Sequence, residues 1–202
     1  STYRVMLIGC GHMGKAHVSK IYCLDNVELT AVCDLDIEKA KMFQKMYAAK
    51  HITSNYREML DKVDIVIIAT YPSTHLQILK DCIDAKVHVL CEKPITCTLE
   101  EGKKFIDLAR SAPVKVLTGY ILRHHETYNK LAEMIKSGAI GFPIIMRMSQ
   151  NHHTMDWQKY LKLIEESSPI IDCGVHYYDV MRWVTGAEIE SVNGIGICTE
   201  AD

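Results

Sequence analysis

The 202-residue sequence contains no C-x-x-C pair, no block of like charge and no apolar run long enough to cross a bilayer. Its eight cysteines, Cys10, Cys23, Cys33, Cys82, Cys91, Cys97, Cys173 and Cys198, are scattered singly, which fits reduced, mostly buried thiols rather than a disulfide framework. Lysine and arginine number 23 against 25 acidic residues, so no basic stripe favours nucleic acid and no charge run favours a membrane surface. Charged and polar residues interrupt every long apolar stretch; neither a transmembrane span nor a signal peptide is expected, and the cytoplasm is the expected compartment. Histidine is plentiful, but His124-His125 and His152-His153 are neighbours, and neighbours on a strand point to opposite faces. No zinc-like ligand set results, and no metal is expected.

What the sequence does have begins at its first apolar run. Arg4–Ile8 leads straight into Gly9-Cys-Gly11-His12-Met13-Gly14, and Asp34 closes the next apolar run. This reads as a dinucleotide-binding βαβ unit, in which Gly9 allows the tight turn, Gly11 lets a pyrophosphate approach the backbone and Gly14 lets the helix pack on the strand. The helix start at His12 and Met13 then offers backbone N–H groups to phosphate. Asp34 can accept hydrogen bonds from an adenosine ribose and repel a 2′-phosphate, favouring NAD over NADP. Alternatively it N-caps the following helix, a role Asp36 fills at least as well.

Apolar runs at Arg4–Ile8, Glu28–Cys33, Asp64–Ala69, Val87–Cys91 and Lys115–Thr118 read as strands of a parallel sheet covered on both faces. Amphipathic stretches at Met13–Leu24, Ile37–Tyr47, Thr74–Asp84 and Leu99–Arg110 supply the crossover helices. The fold class is α/β: a doubly wound Rossmann domain over residues 1–120, followed by the beginning of an α+β domain over residues 121–202 with an open, mainly antiparallel sheet. In that second unit Tyr128–Lys136 reads as a helix stopped near Gly138 and Gly141, Phe142–Asn151 as a strand and Trp157–Ile164 as a short helix. Ile171–Val184 reads as a helix stopped by Gly186, and Ile189–Cys198 as a strand. Two strands make a poor sheet alone, so a fragment, or completion by another chain, is expected.

The chemistry-bearing residues fall at strand ends. Thr70-Tyr-Pro72-Ser-Thr-His75 follows the third of the expected strands and could line the cofactor, or could be an ordinary strand-to-helix turn. Glu92-Lys93-Pro94 ends the next strand; a lysine there can donate to a substrate oxygen, and the X-Pro bond in a tight turn can be cis. On that tripeptide alone a solvated loop lysine is the simpler reading. Asp172, His176 and Asp179 are spaced to share one helical face, where a carboxylate one turn from an imidazole can orient a general base; the alternative is a surface ion pair. His17 reads as a packing or hydrogen-bonded residue. Arg123 could fix a substrate or pair with a carboxylate across the domain junction, and His153 with Trp157 could line a sugar pocket.

Taken together, Gly9 to His17, Asp34, Thr70 to His75, Glu92-Lys93-Pro94, Gly119-Tyr-Ile-Leu-Arg123, Ser137-Gly138-Ala-Ile-Gly141 and Asp172-x-Gly174-x-His176-x-x-Asp179 resemble the glucose-fructose oxidoreductase / inositol dehydrogenase / MocA family. The resemblance implies NAD-dependent oxidation of a secondary hydroxyl on a cyclitol or sugar, with Lys93, Asp172 and His176 catalytic. It implies cofactor contacts at Gly9, Gly11, His12, Met13, Gly14, Asp34, Thr70, Pro72, His75, Glu92 and Lys93, and substrate contacts at Arg123, His153 and Asp179. It also implies a homo-oligomer, dimer or tetramer, joined through the C-terminal sheet. Two other readings stay open: transient use of tightly held NAD for sugar elimination or glycoside cleavage, and a non-catalytic NAD-binding regulator. Relatives exceed three hundred residues, and Glu166-Ser-Ser-Pro-Ile-Ile171 stands where they often carry a glycine-rich approach.

Overall fold

A computed structural model describes residues 2–143, 145–150, 166 and 170–196. Six strands form one sheet: β1 (Tyr3–Ile8), β2 (Val27–Cys33), β3 (His51–Thr53), β4 (Ile65–Ile68), β5 (His88–Cys91) and β6 (Val116–Thr118). They lie in the order β3-β2-β1-β4-β5-β6, and every neighbouring pair is parallel. The chain moves outward from β1 through β2 to β3, then returns to the other side of β1 as β4. The β1/β4 border is therefore the switch point, where the carboxyl ends of an open α/β sheet leave a crevice.

The strands are apolar throughout because both faces are covered. Along β1, Val5 and Leu7 enter one cluster with Val18 of α1 (His12–Ile21) and Phe43 of α2 (Ile37–Tyr47). Met6 and Ile8 enter the other, with Leu79 of α3 (Pro72–Asp84) and Phe105 of α4 (Leu99–Ser111). The period-2 alternation thus sorts side chains between two helical layers instead of between core and water. Burial also accounts for the quiet thiols: Cys10 is pushed up to about 12 by desolvation, with the Asp34 charge adding to it.

The five expected strands and four crossover helices are present, with ends shifted by up to three residues. Sequence reading missed β3 and a 3₁₀ segment at Tyr56–Lys62. Three residues are too few to display a period, and β3 begins on an exposed histidine.

Beyond the sheet come a short 3₁₀ turn at Ile121–His124, α5 (Glu126–Lys136), a single π-helical turn at Ile170–Gly174 and α6 (Val175–Thr185). Here the expectations need correction. Among the described residues, 142–150 and 189–196 carry no strand. A strand needs a paired neighbour to satisfy its backbone and bury a face, and among the described residues no sheet ladder includes these. The helix expected from Ile171 instead opens as the π turn and becomes α-helical only at Val175, so Asp172 does not share a regular α-helical face with His176. Trp157–Ile164, Asn151 and Cys198 lie outside the described residues.

Candidate active site

The glycine loop lies between β1 and α1. Gly9 has φ +100°, and its N–H donates to the Cys33 carbonyl at 2.8 Å, clasping β1 to β2. A side chain there would collide with the Ala69 carbonyl at the end of β4, and one on Gly14 would collide with the Gly9 carbonyl. Gly11 is different. Its φ of −91° suits any residue, and a Cβ would meet nothing within 4 Å. Packing within the chain does not call for glycine at that position, whereas close approach of a ligand does. Gly11 is also the N-cap of α1 and supplies no side-chain cap, so the helix start at His12 and Met13 presents backbone N–H groups toward that open space. The loop fits a dinucleotide pyrophosphate.

Asp34 closes β2 against the same loop. Its Oδ2 accepts from Cys10 N at 2.7 Å and its Oδ1 from Asp36 N at 2.9 Å. Asp36, not Asp34, caps α2, accepting from Glu38 N at 3.1 Å. The capping alternative for Asp34 is thereby removed, and its carboxylate is left at the turn next to the glycine loop.

Thr70 and Pro72 lie at the carboxyl end of β4, Pro72 as the first residue of α3. Thr70 Oγ1 is 2.7 Å from Thr74 Oγ1. His75, expected at the cofactor, is fully buried, with Nε2 3.1 Å from the Thr70 carbonyl, and burial holds its pKa below the ordinary histidine value. Apolar packing of α3 against the sheet draws the ring inward, where it supports the Thr70 turn. Glu92 is also buried. Its carboxylate turns inward, with Oε1 2.5 Å from His17 Nε2 and Oε2 accepting from Lys93 N at 3.2 Å.

Lys93, followed by a cis peptide bond to Pro94, reaches across to the π turn. Its Nζ donates to the Asp172 carbonyl at 2.7 Å and to Asp172 Oδ1 at 2.8 Å. The lysine side chain is only 15% exposed, which rules out the solvated loop lysine. Asp172 therefore answers Lys93 and does not orient His176. The His176 ring, half-buried at the start of α6, has an Nδ1 that is buried without a hydrogen-bond partner. Tyr120 packs edge-on against it, with centroids 6.5 Å apart and planes at 88°. Burial, reinforced by the Lys93 charge, holds His176 below the ordinary histidine value against the weaker pull of Glu92, Asp172 and Asp179.

Arg123 and Asp179, expected to hold substrate hydroxyls, hold each other. Nε and Nη2 of the guanidinium donate to the two carboxylate oxygens at 2.8 Å each, and the guanidinium stacks over Trp183 at 5.6 Å. The fork ties the 3₁₀ turn after β6 to α6, which is the cross-junction pairing that the sequence reading kept as an alternative. His153 lies outside the described residues.

One contact had no signal in the sequence. Glu166 accepts from Ser73 N at 3.1 Å and Ser73 Oγ at 2.9 Å in the first turn of α3, with Cys97 Sγ at 3.6 Å. An acid beside Ser-Ser-Pro carries no periodicity, and its target is 93 positions away. Among the described residues no group of three or more His, Cys, Asp or Glu could hold a metal ion, and no helix is long and apolar enough to cross a membrane.

Comparison with known proteins accords with this geometry. A family model described as "Oxidoreductase family, NAD-binding Rossmann fold" matches residues 3–120, and one for the GFO/IDH/MocA C-terminal domain matches residues 128–200. The chain is 26% identical over 191 residues to a myo-inositol 2-dehydrogenase of Thermotoga maritima, covering 94% of this chain and 57% of that protein. It is 30% identical over 186 residues to the rhizopine catabolism protein MocA of Rhizobium meliloti, covering 92% and 58% respectively. The crystal structure of a probable dehydrogenase from Thermotoga maritima superposes with a TM-score of 0.84 at 25% identity, over 93% of this chain and 56% of that one. The chain thus spans a little over half the length of these relatives. With the glycine loop, the acid after β2 and the lysine after β5 in place, the chain belongs to the GFO/IDH/MocA family of oxidoreductases, whose N-terminal part is an NAD-binding Rossmann fold.

Proposed function

We propose that this chain carries the cofactor site and the proton-handling groups of an NAD-dependent dehydrogenase that oxidises a secondary hydroxyl of a cyclitol or sugar. Residues 1–120 form the nucleotide domain of this reading and residues 121–202 begin the substrate domain. The observation that carries it is the lysine at the carboxyl end of β5, held by Asp172 at 2.8 Å, with a half-buried histidine following in α6.

The glycine loop and the start of α1 would hold the pyrophosphate, and Asp34 the adenosine ribose. NAD, when bound, supplies the acceptor for the carbon-bound hydrogen, which leaves as hydride. The chain's own residues handle the proton. Burial, reinforced by the Lys93 charge, disfavours the charged form of His176 and so favours the neutral ring a base requires. With Nε2 accepting the substrate proton, Nδ1 carries the ring hydrogen, and among the described residues no carboxylate receives it. Stabilisation of the new charge falls instead to the oxygen side. The Lys93 ammonium, fixed by two acceptors, presents its remaining donor capacity to the substrate oxygen and favours its deprotonated form. Asp172 acts through Lys93 as its positioning group.

The direct test is NADH formation by the full-length protein across inositols, aldoses and sugar acids, after release of any tightly held cofactor. Absorbance that rises with one polyol class supports the reading and names the class. Bound NAD that no polyol reduces sinks net oxidation and leaves transient redox use or sensing.

Cofactor choice has its own check. Asp34→Ala should weaken NAD binding and narrow its advantage over NADP, since the carboxylate that would repel a 2′-phosphate is gone. Titration of both cofactors reads this. An unchanged ratio would mean that Asp34 serves only to hold Cys10 N and Asp36 N.

A further inference from the structure

Two carboxylates are buried among the described residues. Asp179 is answered by the guanidinium of Arg123, whereas Glu92, 4% exposed, is answered by His17, a residue of α1. Burying a carboxylate is costly unless its oxygens are met by donors, so its retention calls for a geometric reason. Three elements converge on it. α1 contributes His17 Nε2 at 2.5 Å, and the end of β5 contributes the Lys93 N–H at 3.2 Å. After β6, Gly119 lies flat against it, where a Cβ would come within 3.1–3.2 Å of the carboxylate atoms. Gly119 N–H in turn donates to the Cys91 carbonyl at 2.8 Å. The backbone from which the Lys93 side chain departs is thus fixed on one side by Glu92, while its Nζ is fixed on the other by Asp172.

We propose that His17 and Glu92 are a positioning pair that sets the location of Lys93 and joins it rigidly to the helix whose N-terminus forms the phosphate loop. The inference rests on the reading of Lys93 as the group that meets the substrate oxygen, and it replaces direct contact of Glu92 with the cofactor. α1 starts at the glycine loop and reaches Glu92 within its first turns, through His17. Cofactor grip and lysine placement therefore share one piece of backbone, and displacement of a reacting group by about 1 Å is enough to cost on the order of 10²-fold in rate.

The test uses the full-length protein with isotope-labelled lysine, the Lys93 Nζ resonance being identified by its loss in Lys93→Met. Glu92→Gln, His17→Phe and His17→Gln are compared for that resonance, NAD affinity, turnover and the deuterium isotope effect with carbon-deuterated polyol. The expected result is a displaced Lys93 resonance in Glu92→Gln and His17→Phe, with NAD affinity within a few-fold of the parent. Turnover should fall on the order of 10²-fold, and the isotope effect should rise as hydride transfer becomes rate-limiting. His17→Gln keeps a side-chain N–H donor and should restore much of the loss, which also decides the matter where Glu92→Gln fails to fold. NAD affinity that falls in step with turnover would return Glu92 to the cofactor and overturn the proposal. So would an unmoved Lys93 resonance accompanied only by a lower melting temperature. If the parent protein oxidises no polyol, the dehydrogenase reading fails, while the resonance still decides whether the pair positions the lysine.

Discussion

Replacement of Lys93 by methionine is expected to lower turnover on the order of 10³-fold while leaving NAD affinity nearly intact. Methionine keeps the length and apolar stem of the side chain but removes every N–H donor, so the fold around β5 changes little. The substrate oxygen loses the cation that favours its deprotonated form. Asp172 Oδ1 and the Asp172 carbonyl, which the ammonium holds at 2.8 and 2.7 Å, lose their donor at the same time. The loss should therefore appear in kcat as well as in kcat/KM, because the missing interaction belongs to the transition state. Steady-state kinetics together with an NAD titration make the check. Turnover equal to the parent's would remove Lys93 from the chemistry, and a matching loss of NAD affinity would make it a cofactor ligand.

His176→Ala should cost about 10²–10⁴-fold, the usual range for a positioned general base. The pH profile carries the sharper information. A base must be unprotonated to act, so the rate of the parent rises as pH climbs through the His176 pKa and then levels. Burial and the nearby Lys93 ammonium both hold that pKa below the ordinary value of 6.5, so the rise should be complete at a lower pH than for a free imidazole. The variant should lose that limb. A parent profile that rises only on the alkaline side of an ordinary histidine would show that the group in control is not His176, and an unchanged limb in His176→Ala would show the same.

The glycine loop was legible because its demands are local. Gly9 needs φ +100°, Gly14 must clear the Gly9 carbonyl, and both requirements act between residues a few positions apart. The strands were legible because a sheet covered on both faces leaves continuous apolar runs such as Ile65–Ile68. β3 escaped, being three residues that pair only because β2 lies beside them. In the site, residue types were legible and partners were not. Spacing suggested Asp172 for His176, an argument that holds only if the helix is continuous. The backbone instead forms a π turn ending at Gly174, and the lysine that takes Asp172 lies 79 positions earlier. For Glu92 and His75 the sequence showed polar residues at the correct edge of the sheet. Whether each side chain turned toward the crevice or the interior depended on the packing of α1 and α3, which no local pattern encodes.

The separation of Lys93 from Asp172 along the chain also bears on how the protein comes into being. Every contact that shapes the glycine loop and Asp34 closes within residues 3–70, whereas the lysine must wait for a segment 79 positions downstream. Closing so long a loop has an entropic cost that is recovered only once the later segment has docked. On the ribosome, a nascent chain therefore holds the residues of the glycine loop and Asp34, together with the partners that shape them, before the segment that meets its lysine has been made.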